Sequence, residues 1–524
     1  MLFTSYNFIV FMVAVFALYY ILPKKTQWMV LLASSLAFYA FSGVEYFVFM
    51  LFTIATVYIT TIAINKRQEK TATFIAENKE TLTRETKKEI KQKTKKGNFA
   101  LLTVCLVLNF ACLAFCKALI VEPFKTVFSA GGFSFMTFML PMGISFYVFQ
   151  STGYVIDVYR GTAKAEKNPF KLALFVAYFP QLVQGPISRF NDLSATLFAT
   201  HDFDTKQICF GFQRILWGYF KKLVIADRIL PAVQTLVGAP EEYNGIYMLL
   251  VAVFYSLQIY GDFTGGIDIT IGISQLFGVK VTENFIRPFF SKNTAEYWRR
   301  WHITLGTWFK DYVFYPISVC TPMLKLSKAS RKKLGDGFGK RVPVYISSLI
   351  TWLITGIWHG FQWHFAVWGL ANCFVIVASQ ELEPLYAKFH DRFHIKHTTA
   401  YRGFEVIRTF MLMSVIRMLD WYVDVGLYFK QYATVFYKWN ISELWNGSLL
   451  KIGLSVTDYV ILAVGTVILF TVSMVGRKGS VRKKLAQKPA LLRYALFTLL
   501  FLAVILFGAY GMEYNASQFI YNQF

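Results

Sequence analysis

Two short stretches of this chain concentrate the side chains able to do acid–base chemistry. The first, EYWRRWHITLGTWFKDYVFYP (Glu296–Pro316), carries Trp298, Arg299, Arg300, Trp301, His302 and Asp311. The second, TGIWHGFQWHFAVWG (Thr355–Gly369), carries Trp358 and His359. His359 closes the apolar run Val344–Trp358, and a second apolar run opens at Phe365. An ionisable residue in a membrane-embedded segment is costly and tends to mark function. Desolvation there favours the neutral imidazole that a general base needs, and a structural polar anchor is the competing reading. Gly356 and Gly360 would let backbone or substrate come close.

Wound at about 100° per residue, Glu296–Asp311 puts Trp298, Trp301, His302, Leu305, Trp308 and Phe309 on one side of a helix. Arg299 and Lys310 flank that side, while Arg300, Thr304, Thr307 and Asp311 lie opposite. Such a helix suits the membrane–water interface or the wall of a wet cavity. His302 reads either as a packed, hydrogen-bonded histidine or as a second catalytic group. Asp262 and Asp268, in YGDFTGGIDITIG, are acids in a Gly-rich segment whose Gly261 and Gly265 suit close helix packing. Each is expected to pair with a buried base or cap a broken helix, and a direct substrate role stays open, chiefly for Asp262. His390, His394 and His397 have the spacing of helical metal ligands. They lie in a charged stretch, Glu381–Arg402, for which a solvated loop is expected and no metal site. Nucleophile-elbow, phosphate-loop and dinucleotide motifs are absent from the sequence.

These groups must be held by elements that composition already narrows. Of 524 residues, 55% are hydrophobic, 18% aromatic and 16% charged, against about 25% charged in soluble proteins. That cannot clothe a water-facing surface of this size, so a soluble multidomain enzyme, disorder and collagen are excluded. The chain reads as an all-α polytopic membrane protein, one integral membrane domain over 1–524. About eleven to thirteen membrane segments are expected, some short or re-entrant, around a central channel. Strong candidates lie near 3–22, 28–42, 46–65, 99–120, 246–260, 343–358, 362–380, 405–419, 457–476 and 491–511. Weaker ones, near 134–152, 170–186 and 208–230, are interrupted by Gly, Pro, Gln and Lys. Non-helical backbone at membrane depth needs protein or a water-filled cavity over it, so the interruptions suggest a cavity.

Fifty-four Lys and Arg against thirty Asp and Glu give +24. The surplus sits in clusters between apolar runs, as in cytoplasmic loops of membrane proteins, which removes the case for nucleic acid. Lys66–Lys96, within a basic loop expected over 66–97, Lys325–Arg341 and Arg477–Arg493 are therefore assigned to the cytoplasmic side. With them there, the N-terminus, the turn Gly43–Glu45, the stretch Trp421–Thr457 and the tail Tyr514–Phe524 fall outside.

EYWRRWHITLGTWFKDYVFYP and GIWHG resemble the two signature stretches of the membrane-bound O-acyltransferase family, and the chain is similar to its bacterial alginate O-acetylation branch. LPMGISFYVFQSTGYVIDVYRG (Leu140–Gly161), YFPQLVQGPISRF (Tyr178–Phe190) and LQIYGDF through ENFIRPF extend the resemblance over a motif-bearing core, 140–369. It implies a helical core around a deep channel in the plasma (bacterial cytoplasmic) membrane, with His359 catalytic and His302 the second family histidine. The chain departs from the pattern after Pro316, where Ile317-Ser318-Val319-Cys320 stands in place of a Gly-Gly turn.

Acyl transfer from a thioester to an alcohol needs a base at the nucleophile and donors for the developing oxyanion. His359 suits the first role. Trp298, Arg299, Arg300, Trp301, Trp358, Asp262 and Asp311 are the candidates for substrate contact. The expected activity is O-acetylation of an extracytoplasmic polysaccharide or cell-wall polymer. No tightly bound cofactor is expected: the donor is a cytosolic acyl thioester such as acetyl-coenzyme A. The resemblance implies a secreted or tethered SGNH-type acetyltransferase as partner, in a setting of membrane lipids. D-alanyl transfer to teichoic acid is the near alternative. A transporter using the embedded His and Asp residues, or a silent scaffold, belongs to other classes.

Overall fold

The computed structural model describes residues 3–119 and 140–510, and among these the regular structure is helical throughout. Expectations for 120–139 and 511–524, the tail Tyr514–Phe524 included, lie outside the described residues. The chain groups into two compact units, 1–212 with 270–282 and 213–269 with 283–524.

The first unit holds α1 (Tyr6–Ile21), α2 (Gln27–Ala40), α3 (Phe47–Glu77), α4 (Arg84–Ala118), α5 (Ile144–Arg160) and α6 (Pro169–Ala177). The basic stretch 66–97, expected as a loop, is instead the ends of α3 and α4 joined by residues 78–83. The two helices run antiparallel: Thr71 Oγ1 lies 2.8 Å from Thr94 Oγ1, and Asn109 Nδ2 donates to Thr56 Oγ1 at 3.0 Å. Helix α5 is buried on every side from Ile144 to Val158. Its Gln150 donates to the Phe175 carbonyl at 2.7 Å and accepts from the Ser188 N–H at 3.1 Å. Gln181 Nε2 likewise donates to the Pro186 carbonyl and to Ser188 Oγ. Part of the broken backbone near 170–186 is thus satisfied by packed side chains.

Helix α7 (Thr205–Tyr219) runs on through a π-helical turn, Phe220–Ala226, into α8 (Asp227–Gly238), and α9 (Ile246–Leu276) follows. Residues 213–269 of this run belong to the second unit. The unit continues with α10 (Thr294–Arg300), α11 (Ile303–Phe309), a π-helical turn at Lys310–Phe314, α12 (Thr321–Gly339), α13 (Val342–His359) and α14 (Trp363–Glu381). Then come α15 (Glu383–Phe393), α16 (Thr399–Arg417), α17 (Val425–Ala433), α18 (Val456–Val475) and α19 (Ala490–Phe507). The expected loop Glu381–Arg402 is therefore largely helical, and in it His390 Nε2 sits 2.9 Å from the Tyr401 hydroxyl.

Six stretches among the described residues are long and apolar enough to cross a membrane: Val44–Glu77, Arg84–Ala118, Ile246–Leu276, Val342–His359, Val456–Lys478 and Ala490–Phe507. A seventh results if α14 and α15, bent by 52° at their junction, form one broken span. Helices α1, α2 and α5, at 16, 14 and 17 residues, fall short of the roughly 20 that a span needs. In α18 only Leu462, Gly465 and Leu469 are buried, a stripe at helical spacing, and in α19 only Val504. Apolar residues all round a helix with one thin packed stripe are what a lipid-facing span requires. The protein is a multi-pass membrane protein.

Candidate active site

The amphipathic stretch Glu296–Asp311 is not one helix. Asn293 caps α10, its Oδ1 accepting from the Glu296 N–H at 2.8 Å. The chain then breaks at Trp301, which is extended (φ −103°, ψ 127°), and at His302, which is left-handed (φ 46°). The cause is the segment around Asn284. The Ile286 N–H donates to the Arg300 carbonyl and the Ile303 N–H to the Asn284 carbonyl, each at 3.0 Å. Asn284 Oδ1 also accepts from the Thr304 N–H at 3.0 Å and the Thr304 hydroxyl at 2.9 Å. It thereby caps the first turn of α11 from 20 residues away, a role that His302 at the cap position does not perform. A non-glycine residue at positive φ is strained and persists only where its surroundings hold it.

The same oxygen fixes the His302 ring. His302 Nδ1 lies 3.2 Å from Asn284 Oδ1. Because that oxygen accepts from a backbone N–H, it is the amide carbonyl, so Nδ1 carries the ring proton and Nε2 the lone pair. The imidazole is buried, with the Phe263 ring edge-on at 4.9 Å. Burial lowers its pKa to about 3, so it is neutral across the working range.

His359 stands at the last position of α13. Gly360 continues in extended backbone, and α14 starts three residues later at Trp363. The return is tight because Gly356 has no side chain: a Cβ there would meet the Phe365 carbonyl at 2.3 Å. The His359 ring is set among Trp358, Trp368 and Phe365, with centroids at 4.7, 4.9 and 6.0 Å. It remains partly exposed.

Both histidines line one cavity of about 550 Å³ within the second unit. Trp298, Arg299 and Trp301 line it too. Trp298 Nε1 donates to Asn372 Oδ1 at 3.1 Å, and its ring packs edge-on against Trp352 and Trp368. That indole N–H therefore points at a side chain, not at a site for an oxyanion. Arg299 is exposed and free of the ion pair that engages its neighbour: Arg300 is bound by Glu296 one turn back and is outside the lining. Trp358 is buried behind His359 and Asp311 lies 3.9 Å from Lys310 Nζ; neither lines the cavity.

Asp262 is also elsewhere. Its carboxylate lies 2.7 Å from Lys222 Nζ, which sits equally close to Asp227, all three buried. Asp268 meets Arg214 at 2.8 Å and Lys221 at 2.6 Å. Both lysines come from the π-helical turn Phe220–Ala226, and a Cβ on Gly265 would press on the Gly218 carbonyl at 2.9 Å. The two acids thus pair with embedded bases where helices pack closely. Such pairs pin helices in register, since breaking one leaves an uncompensated charge.

The cavity contains groups that sequence reasoning missed. Arg417 lays its guanidinium over the Trp301 ring, 4.2 Å from the centroid, and donates to the Tyr297 hydroxyl at 2.9 Å. Trp301 in turn stacks on Tyr297, with 10° between the planes. Asp420 accepts from the Tyr255 hydroxyl at 2.9 Å and faces Arg417 at 4.0 Å. Burial raises its pKa to about 6 although Arg417 opposes the shift. With Arg299 and Lys310, which the sequence already places beside this face, Arg417 makes three cations in the lining. The available signal was an Arg and an Asp three residues apart at the end of the apolar run 405–419. For Asn284 the signal is its place in ENFIRPF, one of the stretches that carry the family resemblance.

The model of the membrane-bound O-acyltransferase family matches residues 165–330 and 332–420. Among curated relatives, the probable alginate O-acetylase of Azotobacter vinelandii is 32% identical over 65% of this chain and 63% of its own length. The peptidoglycan O-acetyltransferase of Helicobacter pylori is 29% identical over 49% of this chain and 51% of its own. The teichoic acid D-alanyltransferase of Bacillus subtilis is 26% identical over 47% and 61%. The chain thus spans less than two thirds of each of these relatives. The family match covers both histidine stretches and the helices that hold them, and over that region the chain is similar to the membrane-bound O-acyltransferase family.

Proposed function

We propose that the protein is a membrane O-acyltransferase that takes an acyl group, acetyl in the leading reading, from a cytosolic thioester. It passes the group across the membrane for O-acetylation of an extracytoplasmic polysaccharide or cell-wall polymer. The observation that carries this is the convergence of His302 and His359, from stretches far apart in sequence, on one cavity edged by Arg299 and Lys310. In the proposed step His359 removes the proton from an acceptor hydroxyl as its oxygen attacks the thioester carbonyl. The C–S bond then breaks and the imidazolium returns the proton to the departing thiolate. A group that must accept and release a proton near neutrality cannot have the pKa of His302, so that ring is given the positioning role. Arg299 and Lys310 are suited to hold the phosphates of a donor such as acetyl-coenzyme A.

The similarity to a D-alanyltransferase supplies a second reading, and Asp420 is the observation that favours it, since a buried carboxyl in the cavity wall could meet an aminoacyl ammonium. An SGNH-type partner outside the membrane would complete transfer to the polymer in either case. Purified protein in liposomes tests the proposal. Turnover of acetyl-coenzyme A supports it, and turnover of a D-alanyl carrier thioester alone selects the second reading. Solute flux without acyl chemistry would indicate a transporter. Polymer acetylation that survives His359→Ala in cells would indicate a scaffold.

A further inference from the structure

A second cavity, of about 500 Å³, lies in the first unit where α3, α4 and the end of α5 meet. Lys91, Lys95 and Arg160 line it, and none of its ten lining residues is acidic. The rest of its polar wall is neutral and largely spoken for. Gln68 donates to the Val158 and Tyr159 carbonyls, which quiets the negative end of α5, and Thr71 and Thr94 bond to each other. The nearby acid Glu69 accepts from Asn65 Nδ2 at 2.9 Å. The lining thus presents three cations and no carboxylate.

Its depth identifies the kind of ligand. The apolar run of α3 ends at Ile64 and that of α4 begins at Phe99. Gln68 and Lys95 each stand four residues beyond, about 6 Å along a helix axis. The headgroup zone reaches about 5–7 Å past each face of the hydrocarbon core. At the membrane end the lining residue Tyr159 packs against Phe99, a residue 57% exposed, so an aromatic surface continues from the cavity toward the lipid-facing side. A soluble phosphate would need no such surface.

We propose that this cavity binds the phosphate-bearing headgroup of an anionic phospholipid, with Lys91, Lys95 and Arg160 on the phosphate and the acyl chains lying along Phe99. The test uses the full-length protein, offered mixed micelles of phosphatidylglycerol and phosphatidylcholine, with retained lipid counted by native mass spectrometry. Phosphatidylglycerol is expected to be retained preferentially. Arg160→Gln and the pair Lys91→Gln/Lys95→Gln should each weaken its retention by about fivefold per charge removed. Arg160→Lys should keep it, as should Lys332→Gln/Lys333→Gln in the separate basic helix α12. Lys91 and Lys95 are exposed, so that pair reads binding rather than folding. Unchanged phosphatidylglycerol retention in the Lys91/Lys95 pair overturns the proposal. So does equal retention of phosphatidylcholine, or displacement of the lipid by an equal concentration of inorganic phosphate or glycerol phosphate.

Discussion

His302 and His359 line the same cavity in opposite physical settings. His302 is buried at a strained left-handed corner, its ring proton committed to Asn284 and its basicity suppressed. His359 ends a membrane helix, is gripped by aromatic faces, and keeps part of its ring open to the cavity. The difference teaches how one site can divide labour between two identical side chains. The corner around His302 is built for position, and the helix end at His359 for access.

The strongest way to break the comparison is to remove the oxygen on which the His302 corner depends. Asn284→Ala leaves the Thr304 N–H, the Thr304 hydroxyl and His302 Nδ1 without their shared acceptor. At about 1–3 kcal/mol for a buried group left unsatisfied, a loss of at least about 1 kcal/mol is expected in thermal unfolding, together with loss of acyl transfer. A stable, active Asn284→Ala protein would show that the corner positions nothing.

A next test uses pH. The folded-state pKa of His302, about 3, lies below its ordinary 6.5. Below pH 6.5 the unfolded chain takes a proton that the folded chain refuses, so this contribution is complete above pH 6.5 and lost as pH falls. The slope should approach about 1.4 kcal/mol per pH unit and be absent in His302→Gln, as read from melting temperatures between pH 6.5 and 4.5. Asp420 should act in the opposite sense. Its folded-state pKa, about 6, lies above the ordinary 3.8, so the folded chain holds a proton that the unfolded chain releases. The wild type should lose stability relative to Asp420→Asn as pH rises from 4 to 6, and a flat difference would deny the buried acid.

The smallest effects belong to the cavity edge. Arg299→Gln and Lys310→Gln should each raise KM for an anionic donor by about three- to tenfold with kcat little changed, and high salt should shrink the difference. A fall in kcat with KM constant would move these cations from donor binding into the chemistry.

Much of this site was legible in order and type, and much less in geometry. The periodicity that gathered Trp298, Trp301 and His302 on one face assumed a continuous helix, whereas Asn284 breaks it through contacts no local window contains. Of two adjacent arginines, Arg299 lines the cavity while Arg300 turns to Glu296, one turn back in the same helix. Asp262, an acid too costly to bury alone, is expected from the sequence to pair with a base, but that base, Lys222, lies 40 residues away and no local window names it. The long helices were readable from apolar length alone. Helix α5 was the hardest, because a helix buried all round and crossed by Gln150, Ser151 and Thr152 carries neither a span's uniform apolarity nor an amphipathic stripe.

The most direct test of the central claim is acetyl transfer from a thioester by liposomes carrying His359→Ala, measured beside His302→Gln at neutral pH. Loss of the general base predicts a fall of about 10²–10⁴-fold for His359→Ala, with its melting temperature close to wild type and a larger residual rate in His302→Gln. A His359→Ala protein that turns over within about twofold of wild type would contradict the assignment of the base.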